Sequence, residues 1–453
     1  RRMLYCSNMK LVLQKTSLCY RIENKPITKG GTKMHNSSII RRGQFVKRNV
    51  LAVGIDIGKH KHIAGGVTIE SDFTKPYIVM NNRQGFDGLI KKIEDWKRKL
   101  NCSDVVVGFE STGHYWKPLG YYLKAKGIKI VEVSTKHTKK SREMMDNNPL
   151  KADVKDSRVI ADLVRQGKVL TPILPEGEIL ELREFVHTRE NFMKERTSII
   201  NKLHKVVDIT FPERGEVIKK IGNKTSLYLL REAPFPGDIL KRGIKWLVEN
   251  MREISRGRYG GSKSGRLYLL ANESIGLKEG VKGFRYELFF LLDRIEILDK
   301  KIEDIECRIS KILEGMEEVS FIGSIKGVGM ITIAVIISET GGVSNYRSSR
   351  ELEKLAGLNI YEVSSGEHYG QRRITKVGRN LLRQKLYYAA LQQTRDGMPL
   401  YYFYRRLVDR GVNKTKTLIA VARKLLVLIF ALVRDKREYE WEHSPVREMV
   451  EVI

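Results

Sequence analysis

The chain has 453 residues, more than one hydrophobic core usually organises, so we expect two or three domains. Its 83 Lys and Arg residues against 53 Asp and Glu give a formal net charge of +30, which indicates a polyanionic partner, above all nucleic acid. The longest apolar run, "LLVLIFALV" at 425–433, is too short to span a bilayer, and the four cysteines lack zinc-site or disulfide spacing. The composition therefore argues against a membrane protein and indicates a reducing, cytoplasmic setting.

The first 50 residues form a distinct basic stretch in which Glu23 is the only acidic residue. They lack the apolar segment and the small-residue cleavage site of a secretory signal. We interpret residues 1–50 as a basic N-terminal arm; the alternative is sequence upstream of the natural start, since Met3, Met9 and Met34 can each be an initiator.

A β-rich pattern begins at residue 51. The stretch "LAVGIDIGKHKHIAGGVTIE" contains two β-rich runs separated by "GKHK", which predicts a hairpin. Further strand signals lie at 77–80, 104–110 and 128–134, with helical spacing between the last two. The order predicts a mixed α/β sheet whose first three strands form a meander.

Four acidic residues stand at informative positions in this pattern. Asp56 lies near the end of the first strand, Glu110 lies at the carboxyl end of the fourth, and Asp153 and Asp156 share one face of a helix within 149–167. Carboxylates that converge need a positive charge among them, and a hard divalent cation with oxygen ligands supplies it. The pattern predicts a Mg²⁺ site of two ions for phosphodiester chemistry.

Each acid also has a simpler explanation. An Asp pair in the first turn of a helix usually complements the helix dipole or faces solvent. Asp56 is more telling, because an acid within "VGIDIG" must be paired, liganded or at a strand end, and Glu110 in "VVVGFESTG" repeats that logic. The inference depends on the conjunction of all four.

The acid-bearing segments also carry a family resemblance. "VGIDIGKHKH", "VVVGFESTGHYWKPLGYYL" and "KADVKDSRVIADLV" resemble the Asp-Glu-Asp-Asp (DEDD), ribonuclease-H-like domain of the RuvC-like insertion-sequence transposases, the bridge-RNA-guided recombinases. The resemblance implies an α/β RuvC-like catalytic domain at 51–170. It also implies that the metal-site acids are Asp56, Glu110, Asp153 and Asp156.

Beyond residue 170 the pattern becomes helical. Two stretches, 178–207 and 286–313, repeat apolar residues at roughly 3.5 spacing, which predicts long helices that pair with each other or with another subunit, or that are ordinary core helices. The resemblance implies a helical, coiled-coil region at 171–318 that is used in assembly. Between the two helices, residues 208–285 are predicted to be a partly loop-like insertion, whose Gly/Arg/Ser stretch at 255–266 suits nucleic-acid contact or a solvated loop.

The third part of the chain, 319–440, resembles the family's mainly α C-terminal transposase domain, followed by a tail at 441–453. It begins with "SIKGVG" before an apolar helix, which suits phosphate contact near Lys326 or is simply a tight turn. A predicted loop then holds Ser364, Ser365 and Gly366. A serine beside glycine in a loop is usually just a turn.

Basic residues follow that loop: Arg372, Arg373, Lys376, Arg379 and Arg383. Guanidinium groups near a serine would stabilise the charge that develops in phosphoryl transfer. The resemblance implies that a serine here is the nucleophile that joins covalently to DNA. The Ser-Gly pair favours Ser365, with Ser364 as the alternative.

Together these features predict a DNA recombinase that exchanges donor and target strands through phosphoserine intermediates. The resemblance alone implies a structured guide RNA. Because a metal-bound environment would activate the serine without a histidine base, we also expect the acid and serine sites to form one composite site, within one chain or in trans between subunits. We further expect a homodimer or tetramer in the prokaryotic cytoplasm, at the nucleoid. The main alternative is a metal-dependent junction or structure-specific endonuclease that uses water as nucleophile. A sugar-kinase or actin-like fold is a third interpretation, but the sequence lacks the second Gly-rich phosphate motif and the adenosine motif that such a fold requires. A non-catalytic nucleic-acid-binding scaffold is a fourth, and it leaves the four acids unexplained.

Overall fold

The computed structural model describes residues 49–111, 113–146, 153–169, 174–362, 364–365, 368–370 and 372–440. Nearly all of the predicted basic arm and all of the tail at 441–453 lie outside these ranges. The chain divides into two compact units, the first ending at Leu174 and the second beginning at Pro175. The domain boundaries placed after residues 170 and 318 stay predictions.

The first unit is a five-stranded mixed sheet with helices on both faces. Its strands are β1 Val50–Asp56, β2 Lys61–Val67, β3 Tyr77–Met80, β4 Asp104–Glu110 and β5 Lys129–Val133. Its helices are α1 Arg83–Lys99, α2 Trp116–Ala125, α3 Thr135–Asp146 and α4 Asp153–Arg165. The strand order is β3-β2-β1-β4-β5, with an antiparallel meander from β1 to β3 and parallel pairing of β1 with β4 and of β4 with β5. The predicted mixed α/β sheet is confirmed.

Alternation along the strands sorts side chains onto two cores. Val53 and Ile55 of β1 bury against Phe86 of α1 and Leu119 of α2 on one face. Ala52 of β1 faces the opposite side, where the apolar stripe of α4 covers the sheet. Residues at even positions of β1 therefore share the α4 face.

Helix α4 lies directly on the backbone of β1. A Cβ atom placed on Gly54 would lie 2.2 Å from both the Ala161 nitrogen and the Ser157 carbonyl oxygen of α4. These are backbone atoms, which cannot move aside as a flexible side chain does. Glycine at position 54 therefore sets how closely α4 approaches the sheet.

We expect Gly54→Ala to destabilise the first unit by about 3 kcal/mol, or roughly 6–12 °C, because the added methyl group pushes α4 off the sheet. Circular dichroism melts of the full chain measure the change. Gly283→Ala is the matched control, since a Cβ there meets no heavy atom within 4 Å, and its melting temperature should stay level or rise slightly. Equal melting of the Gly54 variant and the wild type would contradict this account of the contact.

The second unit is mostly helical. Its helices up to residue 323 are α5 Gly177–Thr210, α6 Arg214–Val217, α7 Lys224–Glu232, α8 Pro236–Ile254, α9 Gly261–Asn272, α10 Val281–Glu314 and α11 Glu317–Gly323. Those that follow are α12 Met330–Thr340, α13 Ser349–Ala356, α14 Asn380–Gln392, α15 Tyr401–Asp409 and α16 Lys414–Asp435. Four two-residue strands lie between α13 and α14: β6 Ile360–Tyr361, β7 Ser364–Ser365, β8 His368–Tyr369 and β9 Arg373–Ile374.

The two long helices, α5 and α10, pack against each other in antiparallel orientation. Arg189 Nε lies 2.7 Å from Glu306, and Arg196 Nη2 lies 3.0 Å from Asp299, so ascending positions on α5 meet descending positions on α10. Their apolar stripes form one core, in which Leu203 is among the buried residues. Of the alternatives that the spacing left open, pairing within the chain is what the structure shows.

The segment at 208–285 is more helical than predicted. Pro236 is not part of a loop but the first residue of α8, a position that suits proline because the first turn needs no backbone N–H donor. Asp238 reinforces this helix start by accepting a hydrogen bond of 3.2 Å from the Phe235 nitrogen. Helix α9 likewise begins inside the Gly/Arg/Ser stretch, at Gly261. These helices share a small core that includes Phe211, so the loop-like interpretation is wrong for most of this segment.

The C-terminal helices surround the largest apolar core of the second unit. Helix α16 contributes Val421, Leu425 and Ile429 to this core, and all three are fully buried. Helix α12 contributes to the same core, packs against α5 and α14, and is apolar almost throughout. Among the described residues, no helix has both the length and the apolar character that crossing a membrane requires.

Candidate active site and nucleic-acid interface

Two of the predicted metal-site acids end adjacent parallel strands. The register pairs Ile55 of β1 with Phe109 of β4, and Asp56 and Glu110 occupy the next position on each strand. Neighbouring strands lie about 4.8 Å apart, and residues at matching positions of parallel strands face the same side. Both half-buried acids therefore lie at one edge of the sheet, on the face that α4 covers.

Helix α4 brings a third acid to the same face. Asp156 is only 2% exposed and precedes Ser157, whose carbonyl oxygen lies against Gly54, two residues before Asp56. Arg142 of α3 compensates the buried charge, with its Nε 2.6 Å from Asp156 Oδ1. The fourth acid, Asp153, is the first residue of α4, and its side chain lies outside the described residues.

The donor set suits a hard cation in its chemistry. Carboxylate oxygens are the ligands that Mg²⁺ takes from proteins. In the part of the chain that the structure describes, no group of three or more Asp, Glu, His or Cys side chains is arranged to hold a metal ion. The structure thus brings Asp56 and Glu110 together, places Asp156 on the same face in an ion pair, and leaves the role of Asp153 a prediction.

The sequence analysis missed Arg142. This residue stands in "SREMMD", a charged segment with no periodicity that indicates a partner. The buried acid was the only available signal, because a carboxylate at such a position needs an opposite charge nearby. Which cation supplies it depends on how α3 folds back beside α4.

The two candidate serines lie in a hairpin rather than an open loop. Ser364 pairs with Tyr369 and Ser365 pairs with His368, in antiparallel strands β7 and β8. A second antiparallel pair of strands flanks this one in sequence and joins Ile360 of β6 to Ile374 of β9. The loop prediction is therefore wrong for Ser364 and Ser365, because cross-strand backbone pairing holds both positions. We call residues 360–374 the serine hairpin; its side chains at 364, 365, 368 and 369 lie outside the described residues.

The basic residues after the serines divide into two groups. Arg372, Arg373 and Lys376 are exposed, and Arg372 Nε lies 2.7 Å from Glu362 across the hairpin. Arg379 and Arg383 are half-buried, and Arg383 Nη1 donates to the Ala356 carbonyl at 2.9 Å. The first group can therefore meet a polyanion directly, whereas the second also supports the fold.

Lys326 lies in the turn between α11 and α12. Its side chain is exposed, and its carbonyl accepts a hydrogen bond of 2.8 Å from Gln393 Nε2. The turn ends at Gly329, which caps the N-terminus of α12. Two helices are thus joined by a tight turn that carries a lysine. The role of Lys326 in phosphate contact stays a prediction.

A buried carboxylate behind the basic segment was also missed. Glu339 of α12 is 2% exposed and is surrounded by two arginines and a histidine. Its Oε1 lies 2.7 Å from His187 Nε2 and 4.0 Å from Arg183 Nε, and its Oε2 lies 3.8 Å from Arg379 Nε. We call these four residues the Glu339 cluster. The sequence signal was an acid within the apolar run "TIAVIISET", which must be paired if that helix is core.

The cluster sets the charge of Glu339. Burial by itself would raise the pKa of this carboxyl. The close contact with His187 and the nearby Arg183 and Arg379 guanidiniums outweigh burial, so the pKa lies below its ordinary value of 4.5. A depressed folded-state pKa contributes stability that is present above the unfolded-state pKa and is lost as pH falls through the folded-state value.

Glu339→Gln should lower the free energy of unfolding by about 2 kcal/mol at pH 7, because the Arg183 and Arg379 guanidiniums lose their buried counter-charge. The difference from wild type should shrink as pH falls below about 4.5 and the wild-type carboxyl takes up its proton. Urea unfolding at several pH values measures it. Glu296→Gln, on the exposed face of α10, is the control and should change little. A Glu339 effect that does not vary with pH would contradict the charge-based explanation.

Comparison with known proteins connects both parts of the candidate site to one class. A family model for the DEDD transposase of IS110 matches residues 53–212, which include all four acids. A second, described as the transposase IS116/IS110/IS902 family, matches residues 319–404, which include the serine hairpin. Together the two matches span more than half of the chain.

Several curated proteins are similar to this chain, two of them over nearly their whole length. The uncharacterised 44.8 kDa protein of insertion element IS116 from Streptomyces clavuligerus is 24% identical over 85% of this chain and 95% of its own. The transposase of insertion sequence IS1111A from Coxiella burnetii is 23% identical over 90% of this chain and 96% of its own. The pilin gene-inverting protein of Moraxella bovis is 26% identical over 33% of this chain and 48% of its own. The chain therefore belongs to the IS110/IS116/IS1111 family of DEDD transposases.

Proposed function

We propose that this transposase cuts and rejoins DNA strands through a covalent phosphoserine intermediate. The observation that carries the proposal is the placement of Asp56 and Glu110 at adjacent ends of parallel strands, on the face where α4 adds Asp156. An antiparallel meander continued by parallel strands supports the ribonuclease-H-like fold that the resemblance implies. The similarity to an insertion-sequence transposase and to a gene-inverting protein supports DNA as the substrate.

The four acids are the proposed holders of two Mg²⁺ ions: Asp56, Glu110, Asp153 and Asp156. Bound Mg²⁺ would supply positive charge to the attacked phosphate and to the attacking and leaving oxygens. The chain's own contribution is to hold the ligands. The β1–β4 ladder keeps Asp56 and Glu110 in a fixed relation, and Arg142 compensates the charge of buried Asp156.

We propose Ser365 as the nucleophile, with Ser364 as the alternative. The Ser365 Oγ–phosphorus bond forms as the bond from phosphorus to one deoxyribose oxygen breaks. The hydroxyl proton passes to solvent, and the released deoxyribose oxygen takes up a proton from solvent. Attack by a deoxyribose hydroxyl of the other DNA then frees the serine and completes strand exchange. The exposed Arg372, Arg373 and Lys376 would bind the phosphate backbone.

We propose that a structured bridge RNA, which pairs with donor and target DNA, selects the target. We also propose that the protein assembles as a homodimer or tetramer in the prokaryotic cytoplasm. The formal charge of +30 supports a large nucleic-acid surface. A folded RNA would be held through its shape and phosphates, and base pairing would read the DNA.

The direct test incubates the full chain with Mg²⁺, RNA transcribed from the flanks of its gene, and end-labelled DNA that carries the element's ends and a target. Samples are resolved on denaturing gels before and after protease digestion. We expect a labelled protein–DNA adduct that protease removes and that a chelator prevents.

The outcomes separate the proposal from its main alternative. Cleaved DNA with no adduct, at early and late times, would identify a metal-dependent endonuclease that uses water. Omitting the RNA tests the guide separately, since loss of the adduct without RNA supports the guide and an unchanged adduct overturns it.

A further inference from the structure

A cavity of about 280 Å³ lies in the second unit beside the base of the serine hairpin. Its apolar walls come from three parts of the fold, namely Leu358 after α13, Ile374 in β9, and Ile419 with Ala422 on α16. Leu358 and Ala422 are each 1% exposed, so the floor of the cavity belongs to the apolar core. Ile374 pairs with Ile360 in the outer ladder of the serine hairpin, so one wall is part of that hairpin.

Helix α14 supplies a polar and aromatic rim. Asn380, Gln384, Tyr387 and Tyr388 line the cavity at helical spacing, on one face. The two tyrosine ring centroids lie 6.3 Å apart, with their planes inclined by 64°, so the rings form a corner. Tyr388 is 49% exposed, a large aromatic surface that protein atoms leave uncovered. A flat ring that enters the cavity would therefore find an aromatic surface to stack on.

The rim also offers hydrogen-bonding groups at defined positions. Arg383 Nη1 donates to the Ala356 carbonyl, and Arg383 Nη2 donates to Asn380 Oδ1 at 3.0 Å, which orients the Asn380 amide. Gln384 Nε2 donates to the Tyr388 hydroxyl at 3.4 Å. Within the described part of the chain, no protein group bonds to Asn380 Nδ2 or Gln384 Oε1. The cavity thus presents a donor and an acceptor beside an aromatic ring.

Size and charge narrow the ligand further. The volume of about 280 Å³ is just below the roughly 300–1,000 Å³ range of ligand pockets, so it suits one heterocycle and not a whole nucleotide. The exposed Arg373 and Lys376 flank Ile374 in sequence and suit a phosphate backbone that passes outside. An aromatic surface, an amide donor–acceptor edge and surrounding cations together match an unpaired nucleobase.

We propose that this cavity receives one unstacked base of the DNA strand on which the serine hairpin acts. The inference rests on the proposed function, because the DNA strand is assigned through the hairpin that carries the proposed nucleophile. Extruding a base is how proteins reach atoms that a stacked duplex hides, and its cost is lowest at a mismatch. Stacking on Tyr388 and contacts with Asn380 and Gln384 would offset the lost base pair.

The experiment measures coupling between Tyr388 and a single base. Full-length Ser365→Ala protein binds fluorescent DNA that carries the element's ends, with either a mismatched base or an abasic site at successive positions. With the mismatch at one position, we expect the protein to bind this DNA about 5- to 100-fold more tightly than DNA with an abasic site at the same position. In the Ser365→Ala, Tyr388→Ala double variant this ratio should fall to about 1, and with Tyr388→Phe it should persist.

Matched controls and a second arm define the outcomes. Tyr402→Ala removes a similarly exposed tyrosine, on α15 and outside the cavity lining, and should leave the ratio unchanged. A ratio near 1 at every DNA position, or one that survives Tyr388→Ala, would overturn the proposal. The same substitutions placed in the RNA form the second arm, and coupling there alone would overturn the assignment to DNA. The readout is binding by a protein without Ser365, so coupling can appear even if the phosphoserine mechanism fails.

Discussion

Ser365→Ala is expected to abolish the covalent protein–DNA adduct, lowering its formation by at least about 10⁴-fold, because the variant has no hydroxyl to attack phosphorus. The adjacent Ser364→Ala is the matched control, since it removes the same group one position earlier in β7 and should leave the adduct in place. Denaturing gels with labelled DNA measure both variants. Binding of uncleaved DNA should be unchanged in each.

The paired variants give a decisive pattern. If the adduct persists in Ser365→Ala and disappears in Ser364→Ala, the nucleophile is Ser364. If it persists in both single variants and in the double variant, serine is not the nucleophile in this hairpin. Peptide mapping of the adduct would then locate the residue that is.

Asp56→Asn should reduce DNA cleavage by at least about 10³-fold while DNA binding is retained. The substitution keeps the size of the side chain but removes the charge that a divalent cation requires. Glu110→Gln should act in the same way, because both acids occupy matching positions at the ends of β1 and β4. Single-turnover cleavage at saturating protein measures the rate, and fluorescence anisotropy measures binding.

Asp104→Asn is the control for position. Asp104 is the first residue of β4, at the opposite end of the strand from Glu110, and its side chain is exposed. Its loss should leave cleavage within about twofold of wild type. Cleavage by Asp56→Asn within tenfold of wild type would show that the strand-end acids are not the catalytic centre.

Local sequence patterns predicted most of the secondary structure. Runs of β-branched residues, such as those around Val53 and Val107, favour strands. All five strands of the first unit lie where the sequence carries strand signals. The long 3.5-residue repeats predicted α5 and α10 for the same reason. The errors came where a local signal has two meanings. Pro236 was expected in a loop but begins a helix, and Ser365 was expected in a turn but belongs to a hairpin strand.

Residue identity and local spacing were enough to show which groups this protein has for chemistry. It contains acids at the ends of apolar strands, a serine before a basic segment, and a large positive charge. These follow from residue identity and short-range spacing, which backbone geometry converts directly into strands and helices.

Which of these groups come into contact depends on the three-dimensional packing of the chain. The parallel register of β1 and β4 aligned Asp56 with Glu110, the absence of a side chain at Gly54 let α4 lie close above them, and Arg142 became the partner of Asp156. The Glu339 cluster joins α5, α12 and the start of α14, and the cavity beside Tyr388 forms between α14 and α16. Such contacts depend on packing between segments distant in sequence, and no local pattern encodes the partner of a buried charge or the shape of a cavity.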